Sequence, residues 1–183
     1  MRTFIALVGL VGVATLSLDG RDLDGPWPSI AWPSIPVAHA AEWDTVRPGE
    51  STQDAVRTQL GAPSKVASQR IEGYDGAQWI YEGDQAPRGM TRATVDFGLL
   101  TPQGYRADLV RVLRLEPRPG AFNRGTVIMG WGPPQRIGRE KDVDVFFYEA
   151  GLLVYFNKDG DMALLMVFTP RQPPAAGGAT PTR

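Results

Sequence analysis

Residues 47–63 read RPGESTQDAVRTQLGAP, and residues 118–134 read RPGAFNRGTVIMGWGPP. Arg47-Pro48-Gly49 recurs as Arg118-Pro119-Gly120, Val56 as Val127, Gly61 as Gly132 and Pro63 as Pro134. All these pairs share one offset of 71 residues, with no gap. A fixed-period repeat names the unit from which a fold is built, so it is read first. Each copy carries helix punctuation. Ser51 is placed to cap a helix amino terminus, with Asp54 three residues on to complete a capping box. Val56 and Leu60 then share one face at i and i+4. Gly61 suits the left-handed residue past the last turn, and Pro63 stops any continuation. In the second copy Asn123 takes the cap and Trp131 stands for Leu60. Gly125 and Gly130 each cost that helix about 1 kcal/mol relative to Ala, so it depends on packing.

Strand patterns follow each helix. The first copy offers residues 66–72, 78–82, 91–99 and 109–116; the second offers 135–140, 143–149, 152–157 and 163–169. Trp79 and Tyr81 correspond to Phe146 and Tyr148, and Val95-Asp96-Phe97 corresponds to Val154-Tyr155-Phe156. Asn157-Lys158-Asp159-Gly160 reads as a tight hairpin turn. The expectation is an α+β fold of two tandem modules, 43–117 and 118–170, each a short helix followed by an antiparallel meander.

Glycine, a mid-helix valine, Leu-Gly-x-Pro, an aromatic W-x-Y strand and a strand ending in Phe make a pattern that resembles the SmpA/OmlA (BamE-like) family. Gly49, Val56, Leu60, Gly61, Pro63, Trp79, Tyr81 and Phe97 carry it in the first copy. Gly120, Val127, Gly132, Pro134, Tyr148 and Phe156 carry it in the second. The resemblance implies a fold like that of the β-lactamase inhibitor protein, itself a tandem of two such modules, which binds a partner protein on its sheet. It also implies a role in outer-membrane protein assembly or envelope integrity. An inhibitor-like protein that blocks an enzyme through its sheet face is the alternative.

The ends of the chain are of a different kind. Arg2 precedes an uncharged apolar run, and Ala38-His39-Ala40 offers small residues for cleavage before Ala41. Between them lies a direct repeat, Trp27-Pro28-Ser29-Ile30 and Trp32-Pro33-Ser34-Ile35. Residues 1–40 are therefore expected to be a signal peptide, or a membrane tether if uncleaved. Either reading exports the chain to the periplasm or cell envelope. Residues 171–183 read as a disordered tail rich in Pro, Gly and Ala.

Composition narrows the function. A formal net charge of −1 supplies no basic excess for nucleic acid. The absence of cysteine excludes disulfides, thiolate nucleophiles, Cys-based zinc sites and a lipoprotein anchor. The single histidine, His39, falls in the segment expected to be removed. Asp142, Asp144, Asp159 and Asp161 lack calcium-loop spacing, because Tyr155 and Met166 stand where the first ligand and the closing glutamate belong. Gly130-Trp131-Gly132 is no dinucleotide loop, and Ser51 and Ser64 have no basic partner of nucleophile type. The sequence reads as non-catalytic, without cofactor or metal, and as a partner for another protein.

One pattern points to where that protein binds. In the second copy each strand is apolar on both faces. Val145 and Phe147 oppose Phe146 and Tyr148; Leu153 and Tyr155 oppose Val154 and Phe156; Leu165 and Val167 oppose Met166 and Phe168. A sheet apolar on both sides must be covered on both sides. Val145, Phe147, Leu153, Tyr155, Leu165 and Val167 are therefore expected to form either the seam with the first module or the partner site.

Overall fold

Period-two alternation sets eight strands, and short punctuated segments set two helices. In chain order these are α1 (Gln53–Leu60), β1 (Lys65–Ile71), β2 (Tyr74–Glu82), β3 (Met90–Thr101), β4 (Gly104–Pro117), α2 (Arg124–Trp131), β5 (Arg136–Glu140), β6 (Val143–Tyr148), β7 (Leu152–Phe156) and β8 (Ala163–Phe168). This computed structural model describes residues 41–171. The expected leader (1–40) and all of the expected tail beyond Arg171 lie outside the described residues.

The strands form one antiparallel sheet in the order β1-β2-β3-β4-β8-β7-β6-β5. That overturns the expected α+β pair of helix-plus-meander modules. The two halves meet edge to edge, through Leu113↔Phe168, Arg114↔Val167 and Leu115↔Met166. Each helix has eight residues and buries a single one, Val56 or Val127. A helix that small cannot cover a four-stranded sheet alone, so the halves share one core instead.

That core lies on the face toward the helices. One buried rung crosses six strands through paired neighbours: Trp79, Val95, Leu113, Phe168, Leu152 and Tyr148. The amino-terminal residues Ala41 and Val46 join the same cluster. What repeats is the local packing within this one sheet. Trp79 meets Phe97 edge to face at 4.8 Å, and Phe146 meets Phe156 the same way at 4.7 Å. Arg57 lies over Trp79, and Arg124 lies over Phe146 and Phe156. Burial pushes the Tyr81 phenol up to about 12, opposed by nearby Arg57.

The helix ends show how sequence sets this geometry. Asn123 caps α2 in a full capping box with Thr126. In α1 the cap is Thr52 rather than Ser51, and Ser51 Oγ instead accepts from the backbone N–H of Arg47. Gly61 and Gly132 follow the helices at φ 80° and 77°, with ψ of −161° and −175°. This is the extended mirror region rather than the left-handed helix, and it is essentially closed to side chains. Each carbonyl accepts from a core tyrosine, Gly61 from Tyr81 and Gly132 from Tyr148. A Cβ at either glycine would meet no atom within 4 Å, so the strain of substitution is purely conformational. Gly61→Val and Gly132→Val are each expected to cost about 1–3 kcal/mol, read from urea midpoints.

Candidate functional site: the open face of the sheet

Both helices and the amino-terminal segment pack on one face, so the sheet turns a second face away from them. A rung of paired neighbours on this side runs Lys65, Ile80, Thr94, Arg114, Val167, Leu153, Phe147 and Arg136, crossing all eight strands. The next runs Leu165, Tyr155, Val145 and Gly138. The structure thus gathers Val145, Phe147, Leu153, Tyr155, Leu165 and Val167 on one surface, drawn from β6, β7 and β8. The halves join edge to edge along β4 and β8, where Val167 of this set pairs with Arg114.

Within this patch Val145 is fully buried while its five companions stay partly exposed. Gly138, the cross-strand neighbour of Val145, leaves room for the Phe147 ring, which would meet a Cβ there at 2.8 Å. Arg136 lies over the outer side of the same ring at 5.2 Å. Tyr155 is half-buried. Burial first, and the neighbouring Glu140 carboxylate second, push its phenol up from the usual value.

The first half of this face is polar, and it holds residues that the sequence did not single out. Asp96 is 1% exposed, the one buried charged side chain among the described residues. Gln78 Nε2 donates to its Oδ1 at 2.8 Å and Arg114 Nη1 to its Oδ2 at 2.5 Å. Arg111 Nη2 stands 3.5 Å from the same Oδ2. A carboxylate within a strand between Val95 and Phe97 was a usable signal, since a charge in such a run needs partners. Arg111 gave none. An irregularity pairs Asp96 with Val112 but Phe97 with Val110, so Arg111 is the extra residue and leaves the alternation.

Toward one end of the face, charges chain across four strands. Glu82 accepts from Lys65 at 2.6 Å and Arg92 at 2.7 Å, and Arg92 stands 4.0 Å from Glu116. Lys65 first and Arg92 second hold the Glu82 carboxyl below the usual range. Such exposed pairs contribute little to stability. They set the charge pattern of the rim instead.

No family model matches this chain, and no curated protein matches it. A DUF4309 family protein (YjgB) from Bacillus subtilis is similar in structure, with a TM-score of 0.41 at 13% identity over 68% of this chain and 82% of that one. The likeness is too distant to say anything of function.

Proposed function

We propose that this chain is a non-catalytic protein-binding module of the cell envelope that docks its partner on the open sheet face. The observation that carries the reading is the contiguous run of partly exposed apolar residues Phe147, Leu153, Tyr155, Leu165 and Val167 on the sheet face opposite the shared core. An apolar patch rimmed by charge is the ordinary mark of a protein interface. The leader pattern supports export to the periplasm or envelope. The SmpA/OmlA resemblance supports a role in outer-membrane protein assembly or envelope integrity.

Tyr155→Asp tests this. The new carboxylate lands beside Glu140 and over Val145, so a stability loss of about 1–2 kcal/mol is expected with the fold retained. Partner capture from an envelope extract is expected to fall at least about tenfold, as central aromatics at interfaces often carry the affinity. Retention of every co-purifying protein at wild-type level by a folded Tyr155→Asp chain contradicts the reading. Recovery of a soluble enzyme in place of β-barrel assembly proteins assigns the same face a blocking role.

A further inference from the structure

We propose that a cavity on the polar half of the open face is a carboxylate subsite, anchored by Arg111, that takes an acidic side chain of the docked protein. The proposal rests on the docking reading above and adds the chemistry of the partner.

The cavity, of about 220 Å³, is lined by Ile71, Tyr74, Gly98, Leu99, Tyr105 and Arg111, with Leu100 and Glu72 completing it. Its aromatic wall is held in place. Tyr74 and Tyr105 stack at 4.4 Å with planes 14° apart, and Tyr105 Oη donates to the Asp75 carbonyl at 2.6 Å. Gly98 exists for this wall: a Cβ there would lie 2.2 Å from the Tyr105 hydroxyl. Tyr74 and Leu100 remain 44% and 57% exposed, so the cavity opens to solvent.

Arg111 is a surplus cation. Asp96 has two oxygens, and Gln78 and Arg114 already take them at short distance. One carboxylate therefore faces two guanidinium groups. Arg111 keeps only the 3.5 Å contact, and its Nε is buried with no hydrogen-bond partner. A guanidinium is shaped to answer a carboxylate in fork geometry, and with Nε closed off from solvent it is the Nη nitrogens that an incoming carboxylate would meet. Its side chain is 30% exposed and lines the cavity, so an incoming carboxylate reaches it. Glu72 is the one acidic residue lining the cavity, and Arg111 is the one base. The cavity lies on the same open face as the apolar patch, toward the β1–β2 and β3–β4 turns, so a partner seated on the patch would reach it with an acidic side chain at the edge of its surface.

The test is a titration of the full chain with acetyl-Phe-Glu-amide and with acetyl-Phe-Gln-amide, followed by ¹H–¹⁵N NMR. The Glu peptide is expected to bind about tenfold tighter than the Gln peptide, the effect of one charge-assisted contact. The Arg111 Nε–H signal and the Leu99, Leu100 and Tyr105 amides should move together. Arg111→Gln should abolish the difference between peptides. Should that variant fail to fold, Leu100→Asp, at an exposed position on the cavity mouth, should weaken the Glu peptide selectively. Equal binding of both peptides, no binding, or shifts elsewhere on the sheet overturn the proposal and leave Arg111 a structural counter-charge. Glu selectivity alongside unchanged partner capture by Tyr155→Asp upholds this subsite while removing the docking reading.

Discussion

Phe168→Ala is expected to lower the unfolding free energy by about 3–5 kcal/mol, the range for emptying a fully buried aromatic site. Phe168 is completely buried, pairs with Leu113 on one side and Leu152 on the other, and meets the Trp131 ring at 6.0 Å. It therefore stands where the two halves of the sheet join, and no small shift of one half closes the void. Leu164→Ala, at a 54% exposed position on the same strand, should change stability by less than about 0.5 kcal/mol. Urea unfolding followed by circular dichroism and by tryptophan fluorescence reads both. With one shared core the two probes should coincide in a single transition, in wild type and variant alike. Separate transitions would restore the two-module reading.

A comparable loss is expected at Asp96→Ala, about 3 kcal/mol, because removing one member of a buried charged cluster strands the others. The Gln78 amide and the Arg111 and Arg114 guanidiniums would lose their common acceptor, and the Arg111 Nε already has none. The arginine side chains are 30% and 40% exposed, so water recovers part of the cost and holds the figure below that of a sealed pair. The double variant Asp96→Ala/Arg114→Ala should be less damaging than the sum of the single changes by about 1–2 kcal/mol. Strict additivity would mean that Asp96 is held by packing rather than by charge.

The eight strands were legible because alternation is local. Trp79 and Tyr81 point to the core while Gln78, Ile80 and Glu82 do not, and the pattern says so without any tertiary information. The two-sided apolar character of β6, β7 and β8 was equally plain. The joining of the halves was not. Leu113 and Phe168 lie far apart in sequence, and nothing in either strand says whether its free edge takes the other half or solvent. The repeat then favoured two units, since local packing is indeed written twice. Ser51 and Thr52 are adjacent with similar chemistry, and it is the Ser51 hydroxyl that the Arg47 backbone N–H takes, leaving Thr52 to cap α1. Arg111 was hidden for a third reason. A bulge shifts residues off the period-two pattern, so the face of a bulged side chain cannot be counted from its neighbours.

The central claim, that the open face is where this chain meets its partner, is tested most directly by photo-crosslinking in the producing cell. A benzophenone side chain at Leu153, in the middle of the apolar patch, should give a discrete higher-mass adduct. The same group at exposed Thr58 on α1 should give none. Adducts from Thr58 with none from Leu153 would place the partner on the helix side and contradict the account.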